Sequence, residues 1–362
     1  MRRCHCTSLA VVCAIGAGTI SSWMFADSLG TVVCWGRNDQ GQATVPPSLG
    51  ACTHVAVNGL YTAAITESGN VVLWGLVPGP VPANIGPCAD IAAGHYHVVA
   101  IRTNGAVVCW GHNESGQCNV PANLGPCTQV AAGHLHSVAI KFDSTVACWG
   151  YNAFGQCNVP ADLGPVSRVA AGEYHTVALK PDGSVVCWGR NNKGQCDVPA
   201  DLGPCIDVAA GLSHTVAVRN DGTVVCWGWN SKGQSTVPAA LGPCTQATAG
   251  FEYTAAILDS GTLASWGDDS QGEVVNGIGP LLEVASGPSA QHVAAIEAGG
   301  AACLGDFNGD GVVGSADLGI LLGAWGACSG GSGPSCPADL DGDGAVTSTD
   351  LGLLLGAWGA CP

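Results

Sequence analysis

Two twelve-residue stretches near the C-terminus carry side chains spaced for metal chemistry. Asp306, Asn308, Asp310 and Asp317 occupy positions 1, 3, 5 and 12 of the first stretch. Asp339, Asp341, Asp343 and Asp350 repeat those positions 33 residues later. Gly311 and Gly344 stand at position 6, and Val312 and Ala345 offer backbone carbonyls at position 7. Hard oxygen donors on this spacing suit Ca²⁺, and the Gly allows the sharp turn the loop needs. Isolated solvated Asp-Gly turns would not reproduce the whole spacing twice. The expectation is two calcium ions, one per loop. From Cys303 onward there are seven Asp and no Lys or Arg, so no side-chain cation offsets the carboxylates.

Each loop runs into an apolar helix signal, Leu-Gly-Ile-Leu-Leu-Gly-Ala-Trp325 or Leu-Gly-Leu-Leu-Leu-Gly-Ala-Trp358. The larger part of the chain has a different period. Trp-Gly pairs fall at Trp35, Trp74, Trp110, Trp149, Trp188, Trp227 and Trp266, with a 39-residue step in every interval but one, which is 36. Such regularity marks a repeat architecture. Each unit holds three strand signals: Val-Ala-Ala ending at a Gly, then His175-Thr-Val-Ala-Leu, then Ser184-Val-Val-Cys-Trp188. Asp182-Gly183 joins the last two as a tight hairpin. One such sheet cannot bury both faces, so units must stack, radially as a β-propeller or linearly as a solenoid. The ends favour the ring. The chain enters at an outer-strand sequence, Gly30 to Trp35, and leaves at Val284–Gly287 and His292–Ile296, which lack that strand. The fold expected is all-β: a seven-bladed propeller with strands from both ends in the last blade, plus a small helical calcium-loop module. The domain division is 1–26, 27–300 and 301–362.

The recurring Ala-Ala-Gly-x-x-His-(Ser/Thr)-Val-Ala-(Ile/Leu) with Asp-Gly-x-Val-x-x-Trp-Gly resembles the regulator of chromosome condensation repeat, over roughly residues 28–297. That family implies a seven-bladed propeller. The short repeat is similar to that of secreted bacterial members, such as the β-lactamase-inhibitory propeller, which bind proteins with one face. Nucleotide exchange, an activity of eukaryotic members, is not implied for so acidic a chain. The paired calcium loops, with Asp at position 12, resemble a dockerin type I module. This implies a cohesin-like partner, with Ser348-Thr349 at recognition positions and Ser315-Ala316 as a partial match. The tail departs from that family in having no basic residues after the loops and extra Gly in its helices.

The remaining residues separate into frame and surface. His97, His136, His175 and His214 recur three residues after a Gly, with Thr62 and Tyr253 in their place elsewhere and His292 after an insertion. They read as imidazoles bonding backbone near a turn, and the Trp residues as core between blades. Strand parity puts the Gly-x-x-His turns and the Trp-Gly-x-Asn-x-x-Gly-Gln loops on one face. The two residues after each Gly vary and are rich in aromatics. Tyr61, His95, Tyr96, Leu135, Glu173, Tyr174, Phe251 and Glu252 are therefore the expected ligand-binding face. Cys before Trp can pair with Cys near Gly-Pro as 34–52, 109–127, 187–205 and 226–244. Cys148 then takes Cys157, and Cys88, Cys118 and Cys196 stay unpaired. In the tail, Cys303–Cys328 and Cys336–Cys361 share one separation and bracket the two loops. No Cys-x-x-Cys zinc spacing occurs.

Composition narrows the function. A net charge of −16, with 11 Lys plus Arg in 362 residues, excludes a phosphate-binding surface and hence nucleic acid. At 47% hydrophobic residues the chain is too apolar for disorder. Met1-Arg2-Arg3 followed by an apolar run from Leu9 to Ile20 reads as a secretory signal, too short for a bilayer span, and 20 Cys suit an oxidising compartment. No activated nucleophile or phosphate-cradling Gly loop is visible. The expected protein is secreted and non-catalytic, with no transmembrane segment in its mature form. Its propeller face recognises a protein or glycan, and its tail docks it to a surface or complex. The alternative is a polysaccharide-degrading glycoside hydrolase carried by the same tail, which would need paired carboxylates. Glu173 and Glu252 are the candidates.

Overall fold

The computed structural model describes residues 29–298 and, in the tail, 312–327, 338, 340, 345–356 and 358–360. The expected signal segment and the four tail cysteines lie outside the described residues. The body is built from antiparallel three-stranded sheets. In one of them the inner strand is Cys127–Ala132, the middle strand His136–Lys141 and the outer strand Val146–Gly150. The inner strands end in small residues because they converge on the axis. The middle strands are buried along most of their length, which explains their unbroken apolar runs.

The two ends of the repeat region meet as expected. The strand Gly30–Gly36 pairs with His292–Ala298 along its whole length, from Gly30↔Ala298 to Gly36↔His292. Leu281–Ala285 completes that sheet on the other side. Gly30–Gly36 touches the next sheet only at Gly30↔Cys52. Neighbouring sheets share cores. Trp149 packs with Ala92, Val99 and Ile101 of the preceding unit, and Trp188 with Ala131, Val138 and Ile140. The Trp residues are core between sheets.

Polar side chains stitch the sheets together in two layers. In the first, His97 Nε2 lies 3.1 Å from Ser137 Oγ of the next sheet. His136, His175 and His214 repeat the contact to Thr176, Thr215 and Thr254. His292 makes it to Thr62 at 2.8 Å, joining the last sheet to the first. Each hydroxyl donates to a buried Gln carbonyl, as Thr176 does to Gln156 O at 2.9 Å. With its proton committed there, the hydroxyl accepts from Nε2–H, which makes these imidazoles neutral Nε2–H tautomers. Trp188 Nε1 donates to the same Gln156 carbonyl. The histidines thus bond a side chain of the neighbouring sheet, where a contact to backbone was expected. The Gly of Gly-x-x-His follows from this packing: a Cβ on Gly172 would stand 2.0 Å from His175 Cε1.

In the second layer, the third residue of five inner strands reaches across to the next strand's backbone. Asp90 Oδ2 accepts from Val130 N (2.8 Å), Gln129 Oε1 from Val169 N (2.9 Å) and Asp207 Oδ2 from Ala247 N (2.9 Å). Gln246 Oε1 accepts from Val284 N (3.0 Å) and Glu283 Oε1 from Val55 N (3.5 Å). A register shift just before these residues, as at Cys88/Asp90, turns each side chain toward its neighbour. Inner strands of adjacent sheets do not pair, so these side chains satisfy the edge N–H groups that a sheet would otherwise leave bare.

The cysteine pairing expected between outer and inner strands does not occur. Cys127 N bonds Gly105 O in the hairpin at the opposite end of the sheet from the Gly-x-x-His turns. The chain therefore crosses the depth of the sheet between Cys109 and Cys127. Cys109 instead faces Cys118, with Sγ–Sγ 2.9 Å, and Cys187 faces Cys196 at the same distance. Cys148 faces Cys157, as expected.

Burial holds His97, His136, His175 and His292 near pKa about 3, and His214 near about 4. The unfolded chain protonates these groups near pH 6.5, so stability is complete above that pH and falls as pH drops toward 3. Each contributes about 1.4 kcal/mol per pH unit across that window. The carboxyls of Asp90, Asp207 and Glu283, all raised by burial, act in the opposite sense but are fewer. We expect the melting temperature to fall steeply from pH 7 to pH 4. His175→Gln should be less stable at pH 7 yet show an acid slope shallower by about one proton. An unchanged slope would mean that His175 protonates within the fold.

Candidate functional site: the turn face and the tail

The turns after the inner strands form a linked belt around the axis. His95 N donates to His134 O (3.4 Å), His134 N to Glu173 O (3.4 Å), Glu173 N to Gly211 O (3.3 Å), Leu212 N to Gly250 O (3.2 Å) and Phe251 N to Ala290 O (2.9 Å). Asn58 closes the belt with its side chain: Oδ1 accepts from Ser289 N (2.9 Å) and Nδ2 donates to Ala93 O (3.1 Å). The outer loops lie on this same face, as parity required. Tyr151 N bonds Leu135 O and Arg190 N bonds Tyr174 O, each at 2.8 Å.

The belt directs the first residue of each variable pair inward. His95, His134, Glu173, Leu212 and Phe251 line a cavity of ≈ 320 Å³ with Leu60, Tyr96, Ser289, Gln291 and Arg37. His95 and His134 stack at 4.3 Å, and His134 Nδ1 lies 3.2 Å from Ser289 Oγ. Burial, then the neighbouring His134, lowers His95 to about 4, and burial lowers His134. Both are therefore neutral at pH 7.

The second residue of a pair faces the outer loops. Tyr174 sits 5.1 Å from Phe154 and 5.7 Å from Tyr151, ring to ring, with the Arg190 guanidinium over Phe154 (5.1 Å) and Tyr174 (5.6 Å). Arg190 also reaches Glu173, at 3.8 Å. Tyr96 is exposed and meets His95 edge-on at 4.0 Å. Leu135 and Glu252 are half-buried. Burial raises the carboxyls of Glu173 and Glu252, opposed by Arg190 and Lys232 respectively.

Tyr61 requires a correction. It is 1% exposed and opens a middle strand, in the position His97 occupies in the next unit. Its hydroxyl donates to His97 O at 2.6 Å, with Gly94 O 2.9 Å away. The Gly used to align this unit is displaced by one, because Asn58 stands where the other units have Gly. The residues facing the mouth here are Gly59 and Leu60. His134, Arg37 and Gln291 join the cavity without having been singled out. For His134 the signal was its place as first residue of a variable pair.

In the tail, the helices Ser315–Gly323 and Ser348–Gly356 follow two-residue strands at Val312–Val313 and Ala345–Val346. Val312–Val313 pairs with Gly359–Ala360, and Ala345–Val346 with Gly326–Ala327, so each half pairs with the other. Val313, Leu321, Ala338, Val346 and Leu354 form the buried cluster. Asp317 and Asp350 are fully buried at the helix starts. Asp317 Oδ2 accepts from Gly314 N (2.9 Å), and Asp350 Oδ2 from Thr347 N (2.7 Å). Buried carboxylates at position 12 of both loops fit a hard divalent cation. Asp306, Asn308, Asp310, Asp339, Asp341 and Asp343 lie outside the described residues. Among the described residues no group of three or more His, Cys, Asp or Glu is placed to hold a metal.

These features define a repeat β-propeller of three-stranded sheets carrying a duplicated helical tail. The chain carries four regulator of chromosome condensation (RCC1) repeats, at residues 88–117, 127–156, 166–195 and 205–234, and a dockerin type I domain at 304–355. Dockerin type I domains bind calcium. No curated protein matches the chain. Among solved structures it is similar to Prp20p of Saccharomyces cerevisiae, with TM-score 0.63 and 18% identity over 75% of this chain and 91% of that one. Human WBSCR16 is similar at TM-score 0.62 and 19% identity, over 74% of this chain and 98% of that one. The ectodomain of the Arabidopsis thaliana receptor kinase ACR4 follows at TM-score 0.52 and 22% identity, over 64% of this chain and 89% of that one. At these identities the likeness is one of fold.

The tail's buried cluster is too small to order some 60 residues against seven carboxylates unaided, so metal binding and folding should be coupled. In the full chain, chelator should abolish amide-exchange protection in residues 315–323 and 348–356 and leave residues 29–298 unchanged. Equal protection with and without chelator would remove calcium from the tail's fold.

Proposed function

We propose that this chain is a secreted, non-catalytic binding protein. In this reading the sheets form a seven-bladed ring closed by the strand Gly30–Gly36. The turn face recognises a protein or glycan, and the tail, holding two Ca²⁺, docks the molecule to a cohesin-like domain on a surface or complex. The observation that carries the reading is the mouth at the axis together with its flanking aromatic cluster. Varied, aromatic-rich side chains stand on a belt of backbone bonds that does not vary with them. Large rigid rings fixed in this way supply contact area at low entropic cost. The carboxylates offered for the hydrolase alternative face cations at the site, Glu173 toward Arg190 and Glu252 toward Lys232, which suits positioning better than a proton-sharing acid–base pair. The tail contributes a second surface: Leu322, Trp325, Leu355 and Trp358 are each about half exposed, in equivalent places on its two halves.

The test is a pull-down from culture medium and a glycan array, both with the full-length chain. Tyr96→Ala combined with Tyr174→Ala should weaken retention of whatever the wild type captures by tenfold or more, about 1.4 kcal/mol, with little change in melting temperature. Undiminished capture would move the binding surface elsewhere, and collapse of the fold would make these rings core. Release of a reducing sugar from a polysaccharide by the isolated chain would establish the hydrolase instead.

A further inference from the structure

Three successive units end their outer strands in Cys-Trp-Gly and place a second Cys after Gly-Gln, nine residues on. We infer that Cys109–Cys118, Cys148–Cys157 and Cys187–Cys196 are sites of disulfide formation, three clips closed in the folded chain by exchange with a small-molecule disulfide. All three sulfur pairs stand at 2.9 Å. That is closer than unbonded sulfurs rest and within a small movement of a bond of about 2.05 Å.

The loops hold this geometry without help from sulfur. Asn113 Oδ1 accepts from Cys118 N at 2.8 Å, and Asn113 Nδ2 donates to Asn119 Oδ1 at 2.8 Å. Asn152 and Asn191 repeat the arrangement around Cys157 and Cys196. The next unit is a natural control, because Ser235 replaces the second Cys. Its N donates to Asn230 Oδ1 at 2.9 Å and its Oγ to Trp229 O at 2.9 Å, the carbonyl matching the one Cys196 Sγ approaches at 3.5 Å. The loop is thus the same with a hydroxyl in place, and closing a clip requires no new backbone path.

The same comparison says which thiols stay free. Ser235 stands nine residues after Cys226, and Ala43 nine residues after Cys34. Burial pushes both thiols up, Cys34 to about 12. Cys52, Cys88, Cys127, Cys205 and Cys244 are buried at the far end of the sheets, each with its thiol against the carbonyl of a Gly two residues earlier.

The step balances as thiol–disulfide exchange. In the first pair, the hydrogen bond from Cys109 lowers the Cys118 thiol and raises that of Cys109, which burial raises further. Cys118 thiolate attacks one sulfur of the external disulfide and releases one thiolate. Cys109 then loses its proton and attacks Sγ of Cys118, releasing the second thiol. Two S–H bonds and one external S–S bond are lost. One protein S–S bond and two external S–H bonds form, and two electrons pass to the reagent. Each clip ties an outer strand to the loop that follows it, and two of those loops hold Tyr151, Phe154 and Arg190.

The experiment treats the full-length chain with glutathione disulfide, blocks remaining thiols with N-ethylmaleimide in denaturant, and maps the peptides. The expected result is three linkages, 109–118, 148–157 and 187–196, with Cys34 and Cys226 fully blocked. Blocked thiols at all six positions, or any linkage of Cys109 to Cys127 or of Cys187 to Cys205, would overturn the inference. Ser235→Cys should add a fourth linkage and abolish blocking of Cys226. If Cys226 stays blocked in that folded variant, the loop geometry does not direct pairing. The wild-type map decides even if the variant fails to fold.

Discussion

The propeller depends on a contact between units that no single unit can make. An imidazole donates to a hydroxyl of the next sheet, the hydroxyl donates to a Gln carbonyl, and a Trp indole N–H meets the same carbonyl. All of these groups are buried or nearly so, where an unpaired donor or acceptor would cost about 1–3 kcal/mol. The contact therefore fixes both the distance and the angle between neighbouring sheets. Gly in the Gly-x-x-His turn follows from it, since the ring lies against that Cα. So does the Gln of Gly-Gln, whose carbonyl serves the sheet and whose side chain shapes the loop, as Gln195 Oε1 does in accepting from Lys193 N at 2.9 Å.

Fixed sheets leave the turn face free to vary. Apart from the junction that Asn58 closes, the turns are tied to one another by backbone bonds, so the side chains of His95, Glu173 and Phe251 differ on the same frame. The innermost residues Asp90, Gln129, Asp207, Gln246 and Glu283 do for the strand edges what the histidines do between middle strands. In the proposed function, recognition on one face and docking through the tail would be separable tasks, each built on a duplicated or repeated frame.

Much of this was legible in the sequence because repetition makes periods visible. The 39-residue step gave the three-strand unit, and the half-units at Gly30–Trp35 and His292–Ile296 gave the pairing of the chain ends. What escaped notice lies between units. The partner of His136 is Thr176, 40 residues away, and nothing local marks a Thr as the acceptor of an imidazole N–H. Asp90 and Gln129 share a strand position but not a residue type, so their common task is visible only once the strands are side by side. Tyr61 was misplaced because Asn58 substitutes for a Gly and shifts the alignment by one residue. The cysteine pairing failed for Cys109 and Cys187 because Cys127 and Cys205 start strands at the opposite end of the sheets. Of the carboxylates expected to hold calcium, Asp317 and Asp350 lie among the described residues, buried at the helix starts.

The central claim is that the sheets form one closed cooperative ring, with Gly30–Gly36 as a structural member of the last sheet. It is tested most directly by thermal unfolding of a chain that begins at Arg37, followed by calorimetry beside the full-length protein. Closure predicts a single sharp transition for the full-length propeller. The shortened chain, with the edge of His292–Ala298 exposed, should melt at lower temperature in a broader transition. Identical melting of the two chains, in midpoint and in sharpness, would contradict it.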